Sequence, residues 1–385
     1  MRTLLLYGDT EHSPALRHEI PLTIIDPLLF VEQDGRRFVL TSHLESARVA
    51  ATLPEAQILD YLDFGFRDLR RNGLSFAEAE REVVARVVEH LAIATAVVPS
   101  EFPVGIADRL RADGVELVLD DPSVLVRRRS KRGAELEGVR AAQRSAEAGM
   151  KAAAALLARA EPGPEGRLRV DGQELLAEDV RDALRSACAA SGAPCPPDVL
   201  VSTVWGDGGH DPGSGPLPAG LPIQVDLWPQ HEASGCWADM TRTFVVGTPS
   251  PKHSELIAQQ EELVAAALQD SFALVKPGVT GQEPFDAVCD RFEAAGFRTQ
   301  RTGAGENPSE GFQFSLGHGV GLEIHEAPTL GIGDRDRLVA GDVLAIEPGL
   351  WDERIGGVRF EDLVLVTDDG YELLTHHPYG LDPAG

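Results

Sequence analysis

Four acidic residues sit inside apolar strand patterns, and that placement constrains the fold of this chain more than any other feature. Asp226 directly follows Ile223-Gln224-Val225, Asp239 precedes Met240-Thr241-Arg242-Thr243-Phe244, Glu347 follows Val343-Leu344-Ala345-Ile346, and Glu361 precedes Asp362-Leu363-Val364-Leu365-Val366. An ionised carboxylate is costly to remove from water unless it is paired or bound to a cation. Any one of these acids reads as an edge-strand surface residue or a salt-bridge partner, whereas all of them together ask for shared cations. His318, in Gly317-His318-Gly319, adds a nitrogen donor. Carboxylate oxygens with one imidazole and no thiolate form a hard donor set, suited to Mn²⁺, Co²⁺ or Zn²⁺ and unlike a structural cysteine-zinc site. Such a set would occupy two ions. Between metals ~3.5–4 Å apart a bridging water loses its proton near neutral pH while the metals polarise a carbonyl, so the implied reaction class is hydrolysis.

The charge balance excludes other classes. Lys plus Arg number 35 against 61 Asp plus Glu in 385 residues, a net charge of −26 that repels phosphate backbones and anionic lipid surfaces. Neither nucleic acid nor membrane is expected as a partner. The length suggests two or three domains, and a hydrophobic content of 43% suits a folded globule throughout. Cys188, Cys195, Cys236 and Cys289 show no CxxC pairing and are too sparse for a disulfide scaffold, which fits a reducing compartment. The apolar stretch near the amino terminus is too short for a signal-peptide core, and no 18-residue apolar run occurs. A cytoplasmic location is the expectation.

Along residues 1–125, short apolar runs alternate with helical stretches, an α/β pattern. Within it Leu28–Gln33 and Arg36–Thr41 flank Asp34-Gly35, a dipeptide that tolerates the positive φ of a type I′ turn, which predicts a β-hairpin. The basic run from Arg127 to Arg132 is expected as a solvated linker over residues 126–133, opening on a long helical pattern. From 134 to 385, two helical segments are expected before the Glu161–Gly166 turn region and a β-rich stretch. Two more, roughly 252 to 275 and 284 to 296, precede a second β-rich stretch. Helix, helix, strand, strand thus occurs twice, which suggests halves related by a pseudo-twofold axis with one site between them.

The segments VDLWPQHEASGCWADMTRTF, GHGVGLEIHEAP, LAIEPGLW and GVRFEDLVLVT resemble the pita-bread metallopeptidases of family M24, the group of prolidases, aminopeptidases P and methionine aminopeptidases. The resemblance covers about residues 200 to 367 and keeps the order Asp, Asp, His, Glu, Glu. It implies a creatinase-like N-terminal α/β domain followed by a pita-bread catalytic domain. Asp226 would then bind one metal, Asp239 and Glu361 would bridge both, and His318 with Glu347 would hold the second. The N-terminal half favours the Xaa-Pro enzymes over methionine aminopeptidases. The implied activity is hydrolysis of Xaa-Pro bonds in small peptides with proline second, as a dipeptidase; the alternatives are an aminopeptidase P and a relative acting on a small non-peptide molecule. A catalytically silent binding protein of the same fold usually has a degraded ligand set, which this chain does not. Mn²⁺ as the metal and a homodimer are implied in the same way.

His325 and His210 fall where similar enzymes place imidazoles that donate to the substrate carbonyl or the tetrahedral intermediate. A lone loop histidine is usually a surface residue, and Gly209 stands before His210 where the family usually has proline. Arg359 lies two residues before Glu361, on the same strand face, and is expected to orient the carboxylates. Glu347 is a ligand and a candidate proton shuttle. Trp205, Trp228 and Phe312 are aromatic candidates for a proline pocket, and Arg335 or Arg337 for a substrate carboxylate, each weighed against a plain core or loop role. Asp226 and Asp239 are 13 residues apart, about two more than usual in the family, which places extra chain in the hairpin between them.

Overall fold

The computed structural model describes residues 3–203, 211–303 and 310–385, and its contacts divide the chain into two units, Met1–Arg128 and Arg129–Gly385.

In the first unit the apolar runs become the strands β1 (Thr3–Gly8), β2 (Leu28–Gln33), β3 (Arg36–Thr41), β4 (Ala56–Asp60), β5 (Thr95–Val98) and β6 (Glu116–Leu119). They form one mixed sheet in the order β4-β3-β2-β1-β5-β6. The β2–β3 hairpin turns at Asp34 and Gly35, with φ of 49° and 77°, as the dipeptide predicted. Helices α1 (Pro14–Glu19), α2 (Ser46–Thr52), α3 (Phe66–Arg71), α4 (Phe76–His90), α5 (Val104–Ala112) and α6 (Asp121–Arg129) accompany it. A reciprocal Ser75–Glu78 capping box starts α4, whose Val83, Val84, Val87 and Val88 are buried with the sheet residues Leu5, Leu29 and Val31.

The second unit contains two helix pairs, each followed by an antiparallel sheet. Helices α7 (Gly133–Leu157) and α8 (Ala177–Ala190) precede the sheet β10 (Leu200–Ser202), β11 (Pro222–Leu227) and β14 (Met240–Val245). Helices α9 (Pro251–Leu274) and α10 (Gln282–Ala294) precede a five-stranded sheet. That sheet takes the order β16 (Glu326–Leu330), β15 (Gly317–Gly319), β17 (Val343–Ile346), β20 (Asp362–Val366), β21 (Tyr371–Leu373). A separate hairpin pairs β18 (Gly349–Asp352) with β19 (Gly356–Arg359). Each pair packs its apolar face on a core of its own: Val139, Met150 and Leu184 gather with Val225 and Leu227, and Val264, Phe285 and Phe292 with Leu344 and Val364. At Gly149 a Cβ would lie 2.4 Å from Cys188 Sγ, so α7 and α8 approach where only glycine fits.

Two details differ from the sequence reading, and the extra chain in the hairpin takes a definite form. The Glu161–Gly166 turn region lies between α7 and α8 rather than after both, and leads into a small sheet of β7 (Glu161–Pro162), β8 (Leu168–Val170) and β9 (Gln173–Glu174). Pro162 and Pro164 cannot continue a helix, and Glu165 and Gly166 adopt φ of 60° and 70°. The basic run is not solvated: Arg128 and Arg129 are buried, and Arg127 is tied to Glu19 (2.6 Å) and Glu32 (2.9 Å) inside the first unit. In a chain this acidic, the run supplies counter-ions to buried acids. The extra chain between Asp226 and Asp239 folds into β12 (Gln230–His231) and β13 (Cys236–Trp237). Trp237 donates its N–H to the Gly321 carbonyl (2.8 Å), and Ser234 fills the space over Gly138 of α7, so this excursion is anchored on its own chain.

Phe312, fully buried, is ringed by Phe285, Phe292 and Phe314 at centroid separations of 5.8, 5.6 and 5.3 Å. Phe312→Ala is expected to lower the free energy of unfolding by about 3–5 kcal/mol, measured by urea denaturation; a loss below about 1 kcal/mol would contradict this packing.

Candidate metal centre

Strand geometry brings the embedded acids together. Asp226 lies on β11 opposite Thr241 of β14, and Asp239 stands one residue before β14 begins. His318 is the middle residue of β15, paired with Ala345 of β17, and Glu347 follows the last residue of β17. Glu361 occupies the step between β19 and β20, where its N–H donates to the Thr241 carbonyl (3.1 Å), so β14 and the β19–β20 segment meet there. The five side chains line one cavity of about 460 Å³ together with His325, Arg359, Trp228, Phe314, Ile324 and other residues.

Ligand-capable atoms of Asp239, His318 and Glu361 all lie within 4.8 Å of one another. His318 Nε2 is 3.7 Å from Asp239 Oδ2 and 3.6 Å from Glu347 Oε1, longer than hydrogen bonds. Its Nδ1 is 3.2 Å from the Gly319 carbonyl, an acceptor that keeps the proton on Nδ1 and leaves the Nε2 lone pair facing the carboxylates. Arg359 lies among them: Nη2 pairs with Asp226 Oδ2, and Nη1 is 3.2 Å from Glu347 Oε2. The guanidinium Nε donates to Thr241 Oγ1 (3.2 Å), whose hydroxyl donates to Glu361 Oε2 (2.6 Å).

The electrostatics are those of a site short of positive charge. Burial, then repulsion from Glu361, Asp226 and Glu347, pushes the Asp239 carboxyl well above the usual range. Glu361 moves the same way through burial and the charges of Glu347 and Asp226. Glu347 is pushed up to about 7 by burial, with Arg359 opposing the shift and Asp226 adding to it. Burial and the neighbouring His325 lower His318 to about 3. Burial also works against the charge of Arg359, but the surrounding carboxylates outweigh it and raise its pKa. One guanidinium does not balance four acids. Asp226 Oδ1 is buried with no hydrogen-bond partner among the described residues, an orphan acceptor that a cation would satisfy. Hard oxygen donors, one lone-pair nitrogen and this orphan oxygen fit divalent ions.

His325 stacks edge-on to His318 at a centroid separation of 4.2 Å. Trp228 lines the cavity, whereas Phe312 belongs to the core and its neighbour Phe314 reaches the cavity instead. Arg335 and Arg337 do not line it; Arg337 donates to the Gly278 carbonyl. His210 and Trp205 lie outside the described residues.

Several supporting residues escape a sequence reading. Thr241 couples Arg359 to Glu361, as described above. Arg242, fully buried, donates to the Glu361 carbonyl (2.9 Å) and pairs with Asp362 (2.8 Å). Lys131 of the basic run forms a buried pair with Glu326, the residue after His325, and the Glu326 side chain also accepts from the Glu323 N–H (3.4 Å). The one available signal is polar residues persisting in the apolar strand after Asp239.

The family model described as metallopeptidase family M24 matches residues 137–368, and the chain belongs to that family. An Xaa-Pro dipeptidase of Pyrococcus horikoshii is 41% identical over 138 residues, 36% of this chain and 35% of that protein. The matched segments thus span about a third of the length of such curated relatives. Among solved structures, an Xaa-Pro dipeptidase from Bacillus anthracis superposes with a TM-score of 0.75 at 23% identity, covering 98% of this chain and 94% of that one. An X-Pro aminopeptidase from Thermotoga maritima reaches 0.73 at 20% identity, covering 99% and 95%. With both units covered, the fold is that of a creatinase-like N-terminal α/β domain followed by a pita-bread domain.

The raised carboxyls give a signed pH dependence. Between about 4.5 and about 7, the interval over which Glu347 is shifted, the folded metal-stripped protein holds protons that the unfolded chain has released. Its stability is therefore expected to fall as pH rises through that window, and added divalent ions are expected to reverse the fall. Thermal unfolding of chelator-treated protein at about pH 5 and about pH 7.5, with and without Mn²⁺, checks this; equal midpoints in all samples would contradict it.

Proposed function

We propose that this protein hydrolyses Xaa-Pro bonds in small peptides, foremost Xaa-Pro dipeptides, with two divalent ions. The observation that carries this reading is the convergence of Asp226, Asp239, His318, Glu347 and Glu361 on one cavity, with Asp226 Oδ1 lacking a partner among the described residues. Asp226 would serve one ion, His318 and Glu347 the other, and Asp239 with Glu361 both. Mn²⁺ heads the candidates, with Co²⁺ and Zn²⁺ sharing the donor chemistry. Bound divalent ions polarise a carbonyl and lower the pKa of water.

The chain's own groups supply the rest. His325 would donate to the oxygen that gathers negative charge as the scissile carbonyl becomes tetrahedral. Glu347, one oxygen held by Arg359 and the other turned toward His318, would take a proton from the attacking water and pass it to the prolyl nitrogen. Arg359 fixes Asp226 and Glu347 in place. His210 belongs to the reading as a second imidazole donor. A prolyl bond lacks an amide hydrogen and has a fixed φ, so peptidases that read an extended N–H-donating backbone handle it badly. Trp228, Phe314 and Ile324 give this cavity an apolar wall against which a pyrrolidine ring can pack.

One observation favours a second reading, an aminopeptidase that accepts chain beyond the proline. Among the described residues lining the cavity, Arg359 is the one permanent cation, and it is already engaged by Asp226 and Glu347. A cytoplasmic setting is supported by four free, buried cysteines. A homodimer belongs to the same reading and is checked by sedimentation.

Metal-stripped protein reloaded with Mn²⁺, Co²⁺ or Zn²⁺ is expected to release proline from Ala-Pro and Leu-Pro. Cleavage of Ala-Pro-Ala at its first bond would establish the aminopeptidase instead, and no cleavage by metal-loaded protein would point to a small non-peptide substrate. Asp239→Ala should lose metal and activity together, and undiminished metal by elemental analysis would refute the shared-ligand assignment. His325→Ala is expected to lower kcat roughly 10²-fold, so near-normal turnover would remove it from the mechanism.

A further inference from the structure

The first unit contains a cavity of about 320 Å³ at the carboxyl ends of β3 and β4, lined by residues of that unit alone. These two strands run parallel, with β4 at the edge of the sheet. Its wall is aromatic: Phe66 meets Tyr61 and Phe76 edge to face at 5.8 and 5.2 Å. Phe76 and Leu62, both lining it, are 57% and 39% exposed, so the mouth is apolar as well.

Against this wall stand Asp26, Asp60 and Glu80, with His43 the one lining residue able to carry positive charge and no lysine or arginine among the described lining residues. Asp60 accepts from the Leu62 N–H (2.8 Å). Asp26 and Glu80 both line the cavity, and neither makes a side-chain hydrogen bond or ion pair among the described residues. Burial, followed by the charge of Asp26, pushes Glu80 up to about 7. Ser42 adds a buried hydroxyl with no hydrogen-bond partner among the described residues. Glu80, half-buried, and Asp26, exposed at the mouth, together with a buried hydroxyl and three aromatic rings, make a lining that suits a cation on an apolar stem.

We propose that this cavity binds an organic cation, a primary ammonium on a short apolar stem, with Glu80 and Asp26 holding the charge and Tyr61, Phe66 and Phe76 covering the stem. The ammonium would donate to the two carboxylates and to Ser42 Oγ. This assignment is independent of the peptidase reading and uses none of the residues of the metal centre.

The test is calorimetric titration of the full-length, metal-loaded protein with hexylammonium chloride and, separately, with hexan-1-ol, which has the same stem without the charge. Saturable binding of one hexylammonium, with hexanol and the Glu80→Gln variant each weaker by roughly tenfold or more, is the expected result. Absence of saturable hexylammonium binding, equal binding of hexanol, or undiminished binding by Glu80→Gln would each overturn the proposal. If Glu80→Gln lacks the native circular dichroism spectrum, Asp26→Asn takes its place with the same expectation and the same refuting results.

Discussion

Mutual repulsion among buried carboxylates around Arg359 is the constraint on which the second unit depends. Folding brings Asp226, Asp239, Glu347 and Glu361 out of water onto one cavity, and desolvation and like-charge proximity both act against the ionised forms of Asp239, Glu347 and Glu361. A single guanidinium reaches Asp226 and Glu347 directly and Glu361 through Thr241, leaving an acceptor of Asp226 unsatisfied. A protein stable only with this cluster protonated would lose stability as pH rises toward neutrality, whereas divalent ions convert the same repulsion into affinity. The cost of assembling the site and its capacity to bind metal therefore have one origin.

The surrounding fold holds that cluster in shape. The acids lie at strand ends or at the junction between strands rather than on long loops, so backbone pairing limits their movement. Arg242 ties the Glu361 carbonyl and Asp362 from below, and the Lys131–Glu326 pair closes the turn that presents His325. These polar contacts are buried and engaged, so they restrain the donors more firmly than exposed pairs would. Metal chemistry needs donors placed before the ion arrives, and this arrangement supplies that.

The first unit treats its acids in two contrasting ways. Glu19 and Glu32 receive Arg127, an internal counter-ion drawn from the basic run. Asp26 and Glu80 receive no lysine or arginine among the described residues, and burial followed by the charge of Asp26 raises Glu80.

Much of the architecture was legible in order along the chain. Strand runs such as Thr3–Gly8 and Val343–Ile346 and the Asp34-Gly35 turn follow from local backbone preference and side-chain period, and appear as read. The acids were conspicuous because charge interrupts apolar periodicity, which needs no third dimension to detect. Sequence could not show that Phe314 rather than Phe312 reaches the cavity, nor that Arg337 turns to the Gly278 carbonyl. Nor could it show that the basic run turns inward to pair with buried acids. Sequence by itself determined which residues had to leave water together; tertiary structure alone decided which partners met them, because charge pairing and cavity lining depend on contacts between residues a hundred or more positions apart.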